Sequence, residues 1–224
     1  MSSELPPQGK DSAAIQILAT EHWSLLATRA LTYQESLGRV NMFLGILSGA
    51  VIALALVAQA AHFGPAFISI AVFMLSVVFV VGLLTVRRLL MLNRDDYMWV
   101  VAMNRLRNAY LDLHPELEPH FTTGAHDDMA GVLQTLGVDA FGASRIGSLF
   151  HNLVTLPGML GLIVASVGGA IGGLVAFGFG GPPVVVLLVG LVFFLAAEAL
   201  VGKWGRTSVT KPNPSVKSRF PTPK

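Results

Sequence analysis

The chain has 224 residues, of which 53% are hydrophobic and only 12% are charged, and its formal net charge is +2. Soluble domains carry about 25% charged residues, so the composition argues against an ordinary soluble protein. The chain has no cysteine, which excludes disulfides, thiolate metal sites and cysteine nucleophiles.

Residues 1–40 are predicted to form a polar tail followed by an amphipathic helix. The polar start, MSSELPPQGKDSAAIQ, lacks the basic and then apolar pattern of a cleavable signal peptide. From Asp11 onward, apolar residues recur at a spacing of three to five, which predicts a helix. Between Asp11 and Gly38 there is no proline and no glycine, so this helix is expected to continue into the first apolar run.

Four apolar runs are long enough to cross a membrane. They cover residues 41–62, 65–86, 153–177 and 183–201. As helices they would be about 28–37 Å long, against a hydrocarbon core of ~30 Å. The connections HFGP and GFGGPP are very short, so two antiparallel hairpins are expected, over residues 41–86 and 149–203. The predicted fold class is an all-α polytopic membrane bundle of four transmembrane helices with cytoplasmic helical extensions.

The basic residues predict the orientation of the chain. Of the 15 Lys and Arg residues, three precede the first run, six lie between the second and third, and six follow the fourth. Neither hairpin loop contains one. The positive-inside rule therefore predicts cytoplasmic N- and C-termini and a cytoplasmic central segment in the inner membrane. This placement favours contact with anionic lipid headgroups over nucleic acid.

The central segment, residues 87–148, is predicted to be mostly helical and to extend the second span. Pro115 and Pro119 are expected to end that helix. A loop, HPELEPHFTTGAHDD, and a short helix, MAGVLQTLGV, follow, and His126-Asp127-Asp128 is placed to start that helix. Residues 204–224 contain four prolines and no apolar pattern, which predicts a disordered cytoplasmic tail.

Glycine is concentrated in the third span. Residues 158–183 include nine glycines and no charged residue. Helices in lipid associate by close van der Waals approach, which small residues permit. We interpret the glycines as a packing surface or an oligomer seam, in preference to a pore lining or a hinge. The predicted helix-packing residues are Gly45, Gly49, Gly161, Ala165, Gly168, Gly169, Gly172 and Gly173.

Glu198 is the only acidic residue within a predicted span. A carboxylate at that depth is costly and usually has a partner. Antiparallel packing of the last two spans would bring His151 and Asn152 to the same depth. Two interpretations stay open: a proton or cation site, or a structural ion pair at the membrane interface.

The loop from His114 to Asp128 is rich in histidine and acidic residues. Imidazole and carboxylate groups both bind divalent metals, but the spacing matches no zinc motif and no EF-hand. We predict no metal; the weak candidates are His114, His120, His126 and Asp127. The favoured interpretation is a solvated loop, or one that pairs with Arg105 and Arg107.

Two stretches resemble an uncharacterised family of bacterial integral membrane proteins. They are EHWSLLATRALTYQESLGRVNMFLGILSGAVIALALVAQA and MNRLRNAYLDLHPELEPHF. This resemblance covers about the first 130 residues and implies no activity. The layout is also similar to that of small multi-span effectors of bacterial nucleotide-signalled defence systems, which would imply a membrane-perturbing role.

No phosphate loop, GxSxG motif or paired-carboxylate motif is present, so neither an enzyme nor a cofactor is expected. The leading hypothesis is a homo-oligomer in the lipid bilayer that acts by helix assembly, as a channel, a pore or a scaffold. The alternatives are a small ion or proton transporter that uses Glu198 and His151, and a membrane-perturbing effector. Other protein partners stay open.

Overall fold

The computed structural model describes residues 7–137, 155–210 and 217–223. These residues form helices, turns and short extended stretches, with no β-strand among them. Within these ranges, five α-helices and one 3₁₀ helix follow in chain order: α1 (Pro7–Ala61), α2 (Pro65–Leu113), the 3₁₀ helix (Pro115–His120), α3 (Met129–Leu136), α4 (Leu156–Gly178) and α5 (Pro183–Thr210).

The predicted all-α fold class with four long apolar helices is confirmed. Helices α1, α2, α4 and α5 each contain a window of 18 residues with a mean hydropathy between 2.1 and 2.9. Each is long enough to cross a hydrocarbon core of ~30 Å. The chain therefore fits a multi-pass integral membrane protein.

Helices α1 and α2 are much longer than a membrane span. They contain 55 and 49 residues, so each apolar half continues into a polar half without a break, as predicted. Helix α2 ends just before Pro115, whose ring disfavours helical backbone in the residue before it. His62 and Phe63 form the turn between the two helices and have positive φ angles of 47° and 56°.

Helices α4 and α5 form the second hairpin. The Thr155 hydroxyl caps α4 by accepting a hydrogen bond from the Gly158 amide, and Pro157 lies in the first turn, where it leaves no N–H unpaired. Gly180 provides the left-handed turn with a φ of 77°, which glycine adopts at no steric cost.

The C-terminal region corrects the prediction of a disordered tail from residue 204 onward. Helix α5 continues to Thr210. Residues 217–223 are also ordered, because hydrogen bonds join them to Asp127 and Asp128. Composition favours disorder when little apolar area can be buried, whereas here charge-assisted hydrogen bonds hold the chain.

The chain divides into two compact units, which are described separately. The membrane unit comprises residues 35–92 and 144–211, and the extension unit comprises residues 1–34, 93–143 and 212–224. Among the described residues, the core of the membrane unit is apolar and includes Phe43, Val86, Leu89, Leu160 and Val164, all at most 2% exposed. The extension unit has a smaller core of Val100, Val101 and Val132, against which Tyr97 packs.

Candidate functional site

Glycines bring three helices of the membrane unit close together. A Cβ atom added at Gly172 would lie 2.7 Å from Phe193 Cγ of α5, and one at Gly168 would lie 2.9 Å from Phe79 Cε2 of α2. Real Cβ atoms almost never approach another atom so closely. Helix α4 therefore packs against α2 with one face and against α5 with another.

The closest backbone approach joins α4 and α5. A Cβ at Gly169 would lie 3.1 Å from the Gly190 carbonyl oxygen, and a Cβ at Gly190 would lie 3.0 Å from that of Gly169. A Cβ added at Gly161 would lie 2.9 Å from Val201 Cγ1, and one at Gly173 would lie 3.6 Å from Val186 Cγ1. Ala165 is fully buried on the same helix.

The glycine pair of α1 is arranged differently. Nothing in the described structure lies within 4 Å of a Cβ added at Gly45 or Gly49, and both residues are exposed. Only 11% of the most apolar window of α1 is buried, compared with 39% in α4. The GxxxG face of α1 is therefore open.

Glu198 lies on α5 beside the buried residues Ala197 and Val201. Its Oε1 atom is buried and has no hydrogen-bond partner among the described residues. His151 and Asn152, the partners expected from the sequence, lie outside the described residues. The proposed juxtaposition of Glu198 and His151 thus stays a prediction.

An ion-pair cluster joins α1 and α2 within the membrane unit. The Glu35 carboxylate accepts hydrogen bonds from Arg39 Nε at 2.8 Å and from Arg88 Nε at 3.0 Å. These bonds hold the pKa of Glu35 below its usual range. The Arg87 guanidinium lies 5.9 Å from the Trp204 ring, within the range of a cation–π contact.

Asn104 organises the polar interior of the extension unit. Its side chain is fully buried, and its Nδ2 atom donates hydrogen bonds to the carbonyl oxygens of His126 and Gly131 at 2.7 and 3.3 Å. Its Oδ1 atom accepts from Arg107 at 2.8 Å and from the Thr135 hydroxyl at 3.0 Å. One amide therefore joins α2, α3 and the loop before α3.

Arg107 is buried next to this amide, at 9% exposure. It donates to Asn104 and, at 3.5 Å, to the Gly124 carbonyl. Burial and then the charge of Arg29 lower its pKa, while burial and the charge of Arg107 lower that of His22. The sequence offered an acidic partner for Arg107 as one possibility; in the described residues its partners are neutral oxygens.

Asp127 is the most densely bonded side chain of the extension unit. Its carboxylate accepts hydrogen bonds from the Ser218 hydroxyl at 2.6 Å, the Phe220 amide at 2.8 Å and the Arg219 amide at 2.9 Å. Arg105 Nε donates to it at 2.7 Å. Burial raises the pKa of Asp127, but these four donors outweigh burial and hold that pKa well below its usual range.

Asp128 has two roles at the start of α3. Its Oδ1 atom accepts from the Gly131 amide at 3.0 Å and so caps the helix, which confirms the predicted helix start. The same carboxylate accepts from the Thr222 hydroxyl at 2.7 Å and the Thr222 amide at 3.1 Å. The two adjacent carboxylates thus bind one segment, residues 217–223, which bends at Arg219 and Phe220 and which we call the docked segment.

The metal candidates of the sequence are scattered. His114 Nδ1 lies 2.9 Å from Glu116, His120 is exposed, and His126 Nδ1 is buried without a hydrogen-bond partner among the described residues. Asp127 is occupied by the docked segment. Nowhere in residues 7–137, 155–210 or 217–223 do three His, Asp or Glu side chains form a group that could hold a metal.

Sequence reasoning missed Asn104 and the docked segment. A single asparagine in a helical pattern gives no signal of burial. The partners of Asp127 lie 91 to 93 positions along the chain, so no local motif marks them. Gly82 was also missed: a Cβ there would lie 2.6 Å from Val164 Cγ2, but this glycine has no small residue four positions away.

Neither the protein-family models, nor the curated proteins, nor the solved structures with which the chain was compared give a match. Function is therefore inferred from the geometry of the chain itself.

Proposed function

We propose that the protein is a non-enzymatic membrane scaffold that assembles with further copies of itself through its transmembrane helices. One observation carries this proposal: the face of α1 with Gly45 and Gly49 is open, whereas the glycines of α4 are already in contact with α2 and α5. An open GxxxG face lets a second helix approach closely enough for van der Waals contact in lipid.

A second copy is the occupant that we favour for this face. Exposed large side chains of α1, such as Met42, Ile46, Ile52 and Leu56, surround the glycine pair and would border a helix seated on it. A symmetric dimer needs the same patch on both chains, and α1 supplies it once in each chain.

The experiment compares oligomer size in nanodiscs for the wild type and for Gly45→Leu/Gly49→Leu. We expect the wild type to be oligomeric and the double variant to be monomeric with unchanged helical content, because the new side chains enter open space within the chain. Gly202→Leu is the matched control, since nothing described lies within 4 Å of that Cβ either. A monomeric wild type, or an oligomer unaffected by the double variant, would refute the proposal.

An ion or proton transporter is the second candidate, because Glu198 has a buried oxygen without a hydrogen-bond partner among the described residues. Buried carboxylates in spans often mark ion or proton pathways. A scaffold predicts no ion or proton flux in proteoliposomes. Flux that Glu198→Gln abolishes, with assembly intact, would favour the transporter, whereas flux that survives this change but requires the oligomer would favour a pore.

A further inference from the structure

The docked segment contacts Arg105, Asp127 and Asp128 through hydrogen bonds, in the way that a peptide ligand contacts a receptor. Asp127 accepts from the amides of Arg219 and Phe220, and its own amide donates to the Phe220 carbonyl at 3.1 Å. Arg105 adds a second backbone contact by donating to the Lys217 carbonyl at 2.7 Å. Main-chain groups of the segment thus supply most of the contacts, and the two consecutive N–H groups at its bend surround the carboxylate as a backbone nest surrounds an anion.

Two hydroxyl groups provide the side-chain contacts of the segment. Ser218 donates to Asp127, and Thr222, four positions later, donates to Asp128. Hydrogen bonds to an ionised carboxylate are the stronger kind. A segment with hydroxyls at this spacing therefore fits the site, while a segment without them would lose both contacts.

The segment covers Asp127 and supplies most of its donors. With the segment in place, the Asp127 side chain is 0% exposed, and Arg105 is its only donor outside the segment among the described residues. Without the segment, water would replace the donors of residues 218–220. An empty site therefore presents a carboxylate that another chain with the same donors can bind.

Most of the segment faces solvent. Lys217, Ser218, Arg219, Pro221 and Pro223 are exposed, and Phe220 and Thr222 are half-buried. A separate peptide of the same sequence can make the same hydrogen bonds. The segment is thus placed to exchange with a competing peptide.

We propose that Arg105, Asp127 and Asp128 form a peptide-binding site, and that the docked segment is its displaceable occupant. The ligand class is a peptide that bends so that two consecutive backbone N–H groups meet one carboxylate, and that carries two hydroxyl side chains four positions apart. This proposal does not depend on the assembly proposed above.

The test uses the full chain in nanodiscs and a fluorescein-labelled synthetic peptide with the sequence of residues 217–223. Ser218→Ala/Thr222→Val weakens the chain's own segment and leaves the site intact. We expect amide exchange in residues 217–223 to rise at least about tenfold, and the peptide to bind this variant at least about tenfold more tightly than the wild type. Fluorescence anisotropy measures the binding.

Adding Asp127→Asn to that variant should abolish peptide binding, because the site rather than the occupant is then altered. Asp112→Asn, an exposed acid of α2, is the matched control and should leave binding unchanged. A peptide with alanine and valine in place of its two hydroxyl residues should bind at least about tenfold less tightly. Unchanged exchange in the first variant, no peptide binding, or binding that survives Asp127→Asn would each overturn the proposal.

Discussion

At the scale of single residues, Asn104 shows how one buried amide can determine a local structure. It uses two donor and two acceptor positions, the full capacity of its side chain. Of its partners, Gly131 and Arg107 are buried, His126 lies in the loop before α3, and Thr135 is half-buried in α3. Fully satisfied polar networks of this kind define one arrangement, because any other leaves a buried group unpaired.

Asn104→Leu should therefore destabilise the extension unit. It removes four hydrogen bonds and leaves Arg107 and two carbonyl groups without this partner, at a cost of about 2–4 kcal/mol. Amide hydrogen exchange in α3 and in residues 124–128 would measure the loss. Asn93→Leu, at an exposed position of the same helix, is the control; equal protection in both variants would contradict the assigned role.

At the scale of the helices, the glycines fall into two classes that the sequence does not separate. Those of α4 lie against α2 or α5, whereas Gly45 and Gly49 of α1 lie in the open. The small-residue pattern predicts close approach in both places. Whether another helix of the same chain packs on the glycines depends on where the neighbouring helices lie, and the local sequence does not specify this.

Gly172→Leu should consequently lower the thermal stability of the protein, whereas Gly45→Leu should not. The first substitution forces a side chain into Phe193, and overpacking costs about 1–3 kcal/mol. Differential scanning fluorimetry in detergent would compare the two variants. A melting temperature of Gly172→Leu equal to that of the wild type would contradict the observed α4–α5 packing.

Much of the architecture could be predicted from the hydrophobic pattern and from the positions of proline and glycine. The long helices coincide with the predicted apolar runs. The prolines after α2 and the glycines after α4 coincide with the ends of those helices. The pairing of the acidic loop with Arg105 was one of the predictions, and the ion pair of Arg105 with Asp127 confirms it. The contacts of Asp127 with residues 218–220 could not be predicted, because these partners lie 91 to 93 positions away in the chain. The same limit applies to Gly82, whose close neighbours, Phe43 and Val164, belong to other helices.

At the scale of the whole molecule, the membrane topology is the property that the sequence predicts most directly. The distribution of Lys and Arg predicts that both helix hairpins turn on the outer side of the membrane. The chain has no native cysteine, so each introduced cysteine is unique. Phe63 and Phe179 lie at the two turns and are 64% and 88% exposed.

Phe63→Cys and Phe179→Cys should react with a membrane-impermeant maleimide in spheroplasts, and Glu118→Cys should not. Glu118 lies in the exposed 3₁₀ helix of the central segment, which is predicted to be cytoplasmic. Lysis should make the cysteine at position 118 reactive, which controls for accessibility. Labelling of Glu118→Cys alone in intact spheroplasts would reverse the topology.

The long sequence separation of the Asp127 contacts has a consequence for biosynthesis. Helices α4 and α5 lie between Asp127 and the docked segment, so the ribosome completes both apolar helices before it makes residue 217. Contacts between distant residues also form slowly, because the intervening chain must first be closed. During this interval Asp127 has Arg105 alone among its described side-chain donors. Residues 217–223 can therefore dock only after the last two apolar helices have been synthesised. A chain interrupted before these helices exposes an acidic pair that keeps Arg105 and the Gly131 amide as donors but lacks those of the segment.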